Sequence, residues 1–303
     1  MDTELTLLRD TPPWDWPGDA GRTFRKFLNS RKADAADRLI AAELAGDYTV
    51  IDNDLANVLL TVLRNREEPE DLRAAAAASF GAVLEGADTE FDEESGEFDD
   101  PEMVPISLGQ FRSIRDTLQQ LYADESIPKL VRRRILEASV RAPEPWHAEA
   151  IGKAYASGDH DWVLTAVFCM QYIKGFDKEI LDALENPDPE IHYEAVRAAG
   201  EKELDAAWAH VSKLAQDEST PKDLRIAAIV AAGQIRPREA QEFLFELTDS
   251  TDEDIAEAAD EALSFIGEED DEEDEEDEFE DEDEDEDFED EEDEEEDEEE
   301  GLF

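Results

Sequence analysis

Apolar and small residues recur along this chain in blocks about thirty positions apart. The clearest block is Pro221-Lys222-Asp223-Leu224-Arg225-Ile226-Ala227-Ala228-Ile229-Val230-Ala231-Ala232-Gly233. Pro69-Glu70-Asp71-Leu72-Arg73 and Pro128-Lys129-Leu130-Val131-Arg132 share its opening, and looser copies begin at Trp162, Ile191 and Ile255. Between the anchors Leu72, Val131, Trp162, Ile191, Leu224 and Ile255 the spacings are 59, 31, 29, 33 and 31. Four residues after each anchor stand Ala76, Ile135, Ala166, Ala195, Ala228 and Ala259; seven after stand Ser79, Ala138, Cys169, Ala198, Ala231 and Ala262. Offsets of four and seven share one helix face. Small side chains there permit close helix approach, while Leu136, Val167, Val196 and Ile229, five after, supply bulk. Such a period in an all-helical pattern predicts stacked helix pairs, each covering its neighbour's apolar stripe. The expected fold is all-α: a right-handed α-solenoid followed by a disordered acidic tail.

Punctuation fits this reading. Proline three before the anchor suits a first helical turn, where its missing N–H is harmless. Gly81, Gly200 and Gly233 read as left-handed helix stops. Residues 1–20, with Trp14 and Trp16 among prolines, read as an irregular cap whose indoles cover the open end of the array. Residues 21–267 form the repeat domain, with helices expected at Thr23–Leu28, Asp34–Ala45, Asn53–Arg64, Pro69–Leu84 and from Ser107 onward. Residues 86–105 read as an inserted acidic surface loop, which lengthens the first spacing. Arg22, Arg25, Lys26, Arg31 and Lys32 make the most basic local cluster, a solvated face or a dock for something acidic.

Composition narrows the function. From Glu268 to Glu300 only Phe279 and Phe288 are not acidic, so this stretch holds 31 carboxylates. Of 87 acidic residues, 56 remain in the rest of the chain against 27 basic ones, a net of −29 there and −60 overall. Like charges with little apolar surface do not fold, so residues 268–303 are expected to be disordered. An acidic body argues against a nucleic-acid partner, which demands clustered Lys and Arg. No apolar run is long enough to span a bilayer, so no membrane association is expected. Met1–Asp10 lacks the basic-then-apolar pattern of a secretory signal, and Cys169 is the lone cysteine, so a cytoplasmic location is expected. Only nine of the 27 basic residues are Lys; acidic, Lys-poor surfaces also arise from life in high salt.

The cadence (Asp/Pro)-x-x-(Leu/Val/Ile)-Arg-x-x-Ala, clearest from Asn186 to Gly200 and from Asp217 to Gly233, resembles HEAT-like repeats of the phycobilisome-lyase type over residues 53–267. That resemblance implies a protein-binding role more often than an enzymatic one, and anchored helices facing the inside of the superhelix. The bilin lyases of this repeat type make an accessory-enzyme role an alternative, although nothing beyond the cadence points to a bilin.

Candidate chemistry is sparse. The four histidines, His147, His160, His192 and His210, have no second His or Cys at metal-ligand spacing, and none is followed by Glu. The repeat-built deoxyhypusine hydroxylases rely on paired His-Glu steps, and this chain departs from that pattern. Phosphate loops and nucleophile motifs are missing as well. No catalytic, cofactor or metal residues are therefore assigned, and a non-enzymatic role is expected. Positions two, three and six after the anchors should face away from the packed stripe: Arg133, Arg134 and Glu137; Leu164, Thr165 and Phe168; Tyr193, Glu194 and Arg197; Ile226, Ala227 and Val230. Mixed aromatic and arginine surfaces suit protein partners. Arg133, Arg134, Phe168, Tyr193 and Arg197 are the candidate partner-binding residues; in a slipped register Leu164, Phe168, Ile226 and Val230 would instead be core. The expected function is a scaffold or adaptor for a protein partner, a basic one among the candidates, with the tail modulating binding. The alternative is a tail-driven chaperone or decoy for basic proteins.

Overall fold

A computed structural model describes residues 4–92 and 95–264. The expected disordered tail, 268–303, lies outside the described residues. The chain is an array of helix pairs. After α1 (Glu4–Arg9) come α2 (Ala20–Asn29) with α3 (Ala35–Leu44), and α4 (Asn53–Arg64) with α5 (Glu70–Ala78). Next are α6 (Gly81–Thr89), α7 (Leu108–Ala123) with α8 (Lys129–Ser139), and α9 (Pro145–Ala156) with α10 (His160–Met170). Then follow α11 (Asp177–Ala183) with α12 (Pro189–Glu201), α13 (Trp208–Gln216) with α14 (Lys222–Ile235), and α15 (Pro237–Leu247) with α16, residues 253–264. The second helices stack directly: α3 on α5, then α5 on α8, α8 on α10, α10 on α12 and α12 on α14.

The small-residue columns lie in the core. Ala76, Ile135, Ala166, Ala195, Ala228 and Ala259 are all fully buried, and Ser79, Ala138, Cys169, Ala198, Ala231 and Ala262 nearly so. Burial also pushes the Cys169 thiol well above its usual range, as expected of a packed core thiol. Two apolar clusters fill the array. One runs from Leu5 to Ala142 and the other from Leu136 to Ala262, so that α8 contributes Val131 and Ile135 to the first and Leu136, with its C-cap Val140, to the second.

One arginine device recurs in the stack. Arg73 Nε donates to the Leu63 carbonyl, Arg132 Nε to that of Tyr122, and Arg225 Nε to that of Ala215, each at 2.9 Å. Each acceptor is the penultimate residue of the preceding helix, where carbonyls lack intrahelical partners. Arg38 Nη2 reaches the Leu28 carbonyl at 3.0 Å in the same way, which identifies α2–α3 as a further copy that the anchor pattern does not reveal. A second device joins consecutive copies. Lys129 Nζ meets Asp159 and Asp161 at 2.5 and 2.8 Å; Lys222 meets Asp252 and Asp254; His160 Nε2 meets Asp188 at 2.9 Å.

Several local expectations change. Gly81, Gly200 and Gly233 are helical and do not stop helices; the left-handed residues after α9 and α10 are Gly158 and Gly175, and after α12 it is Glu203, at φ 49°. Gly200 serves close approach, since a Cβ there would sit 2.8 Å from Ala231 on α14. Pro69, Pro128 and Pro221 occupy the N-cap, one residue before the first turn. The helix expected over Pro69–Leu84 breaks at Ser79, whose hydroxyl donates to the Ala75 and Ala42 carbonyls. The expected loop over 86–105 instead begins with the end of α6 and continues as a hairpin, β1 (Phe91–Asp92) with β2 (Glu97–Phe98), pairing Phe91 with Phe98. Both rings pack on Phe111 of α7, at 5.6 and 5.7 Å, because residues directly paired across two strands share a face.

The N-terminal stretch is not irregular throughout, because α1 buries Leu5 and Leu8. Trp16 covers the end as expected, edge-on to Phe24 and donating to the Leu8 carbonyl at 2.8 Å, whereas Trp14 is 79% exposed. Within the basic cluster, Arg25 pairs with Asp52 and Asp54, and Arg31 lies 3.7 Å from Glu67.

Candidate functional site

The candidate strip lies in a groove. A concavity of about 600 Å³ crosses α8, α10, α12 and α14, lined by Arg133, Arg134, Glu137, Leu164, Phe168, Pro189, Glu190, Tyr193, Glu194, Pro221, Asp223 and Leu224. Four of the five candidate residues thus meet in one place. The fifth, Arg197, is not in the lining and reaches it through Glu194, 3.3 Å from its guanidinium. Thr165 and Ala227 are buried, so position three of those copies belongs to the core; Ile226 and Val230 are half-buried outside the lining.

The groove runs obliquely across the stack, and that explains what the offset rule missed. It takes positions two, three and six from α8, but the anchor Leu224 and residues before it from α14. Pro189, Glu190, Pro221 and Asp223 sit at helix starts, where the only sequence signal is the recurrent proline beside an acidic residue.

The walls divide by chemistry. Leu164, Phe168, Tyr193 and Leu224 are half-buried apolar groups. Phe168 is backed by Arg141, whose guanidinium lies 5.9 Å from the ring, and by Tyr172 at 5.7 Å. At one end Glu137 is saturated: Arg134 bonds it at 2.5 Å, and Thr165 donates to it at 2.5 Å. Arg133 is held by Thr165 at 2.8 Å and Asp161 at 3.3 Å. Both arginines therefore balance charge within the wall. At the other end Glu190 and Asp223 make no ion pair among the described residues. Burial raises the Glu194 carboxyl above its usual range; Arg197 opposes this and the charge of Glu137 adds to it. The groove thus joins an apolar floor to a side with surplus negative charge.

A second concavity of about 450 Å³ lies between α7, α9 and α10, lined by Tyr122, Trp146 and Trp162. It already holds a cation: Arg132 lies 5.1 Å from the Tyr122 ring and 5.6 Å from that of Trp162. His160, Asp188 and Glu190 bring ligand atoms within 4.8 Å of one another, but His160 and Asp188 form a rung of the inter-copy ladder. Among the described residues no helix is long and apolar enough to cross a membrane.

Fold and groove together define a HEAT-like helical-repeat protein carrying one mixed apolar and acidic groove on its stacked second helices. No family model matches the chain, and no curated protein matches it. The solved structures that resemble it include two HEAT-repeat-like helical proteins. Human deoxyhypusine hydroxylase, in complex with glycerol, is 16% identical over 87% of this chain and 88% of its own, with a TM-score of 0.37. YibA of E. coli is 16% identical over 82% of each chain, with a TM-score of 0.42.

Proposed function

We propose that this chain is a non-enzymatic scaffold that binds a protein partner in the groove across α8, α10, α12 and α14. The observation that carries this reading is the groove's division into a floor of Leu164, Phe168, Tyr193 and Leu224 and an edge where Glu190 and Asp223 make no ion pair among the described residues. A partner segment with Arg or Lys beside a large apolar residue satisfies both parts. The apolar group contributes most of the affinity, and the cation sets register and encounter rate.

Peptide-library selection on the full chain tests this. Enrichment of sequences pairing a basic residue with an aromatic or branched one is expected. Binding should fall at least tenfold in the Tyr193→Ala/Asp223→Asn double variant, with helicity and melting unchanged. Selected peptides that bind the double variant equally well would reject the groove as the site. A second reading rests on the 31 carboxylates of residues 268–300, acting on basic proteins by charge. Binding of that kind weakens steeply with salt, disappears when the chain ends at Gly267, and ignores Tyr193.

A further inference from the structure

His192 and His210 are 18 positions apart in sequence but meet in the fold. His192 stands in the first turns of α12, and His210 near the start of α13, which opens the next pair. Their Nε2 atoms are 2.8 Å apart, with ring centroids 5.1 Å apart and the planes inclined by 71°. A neutral imidazole carries one N–H and one lone pair. At this separation one Nε2–H points at the bare Nε2 of the other ring. A proton on His210 Nδ1 faces the Glu185 carboxylate, whose Oε1 is 3.7 Å away, and in that tautomer the His210 Nε2 lone pair faces His192. Both imidazoles are half-buried on backbone that the helix pairs hold in place.

We propose that His192 and His210 form a site for a divalent transition-metal ion of borderline softness, Zn²⁺, Ni²⁺ or Cu²⁺, bound through the two Nε2 atoms with water completing the shell. Metal–imidazole bonds are about 2.0–2.1 Å, so two tetrahedral ligand nitrogens stand roughly 3.3 Å apart. The rings need separate by about 0.5 Å and tilt by roughly 35° so that both lone pairs converge on one ion, a change made by rotation about χ1 and χ2. Binding replaces the shared proton: His192 moves it from Nε2 to Nδ1, both Nε2 lone pairs face the ion, and no other bond changes. The carboxylate of Glu185 lies on the far side of the His210 ring, at Nδ1, and leaves Nε2 free for the ion. Ligand chemistry separates this site from the acidic stretch. Mg²⁺ and Ca²⁺ prefer all-oxygen shells and belong to carboxylates, whereas imidazole suits the later first-row ions. An ion here ties the α11–α12 pair to the α13–α14 pair, beside Tyr193 and Glu194 of the groove.

The test uses the full chain with millimolar Mg²⁺ present to occupy carboxylates. Equimolar Cu²⁺ should give an electron paramagnetic resonance spectrum with hyperfine structure from two nitrogens. Either His192→Gln or His210→Gln should remove that pattern and weaken binding at least tenfold. Identical spectra in all three proteins would overturn the proposal, leaving the pair as a plain hydrogen-bonded clasp between helices. If either variant fails to fold, the unaltered chain still decides. In a histidine-selective ¹⁵N spectrum titrated with Zn²⁺, two Nε2 resonances should shift together; shifts confined to one histidine, or to none, refute the site.

Discussion

His147 is fully buried, with both ring nitrogens in use. Its Nδ1 accepts from the Glu144 N–H at 2.9 Å, so Nε2 carries the proton and faces Ser139 Oγ at 3.0 Å. Burial, aided by the charge of Arg115, lowers its pKa to about 4, although the Glu144 backbone contact opposes this. An unfolded histidine titrates near 6.5, so between these values the unfolded state binds more protons. The neutral ring's contribution is therefore complete above about pH 6.5 and is lost as pH falls toward 4. Between pH 7 and pH 5 that loss is about 2 kcal/mol. Denaturant titrations of the native chain and His147→Gln should show a flatter pH dependence in the variant; parallel curves would contradict this account. At Gly200 the issue is space. Gly200→Ala forces a methyl against Ala231 and should cost about 1–3 kcal/mol, read as a lower denaturant midpoint at unchanged slope. The sequence displays this glycine but not its reason, because its neighbour lies on the next copy's helix, 31 positions on.

Helices were legible because they depend on local periodicity. Every anchored copy forms where the alanine columns place it, and the arginine after the anchor recurs for a reason seen only in space: it caps the helix before it. What escaped was set between elements. At the break after α5 the Ser79 hydroxyl meets the Ala42 carbonyl of another copy, and the hairpin's Phe91 and Phe98 pack on Phe111. α2–α3 lacked an apolar anchor and became recognisable as a copy only through Arg38. At the end of α12, Glu203 takes a left-handed backbone that glycine adopts without strain. Glu203→Gly should therefore stabilise the chain by about 0.5–1 kcal/mol, despite glycine's greater freedom when unfolded. A fall in melting temperature would count against it. The candidate site was legible in part for the same reason: offsets along one helix find Arg133, Arg134, Phe168 and Tyr193, but a groove slanting over four helices also draws on their first turns.

Across the whole molecule, stacked pairs touch mainly their neighbours, so stability is roughly a sum over copies and junctions. The apolar interior is not one body. It divides at α8, which turns Val131 and Ile135 one way and Leu136 the other, with its C-cap Val140. Unfolding should then depart from a single cooperative step. In a Trp14→Phe/Trp16→Phe background, fluorescence of Trp146, Trp162 and Trp208 follows the C-terminal cluster, while circular dichroism averages over both. The two denaturation curves should not coincide, and superposition would argue for one unit. Under tension, this seam is where the spring would give first. The groove straddles it, with Arg133, Arg134 and Glu137 on α8 and its remaining walls beyond. An occupant would act as a splint across the joint, so stretching the molecule would eject its cargo before either half lost its helices.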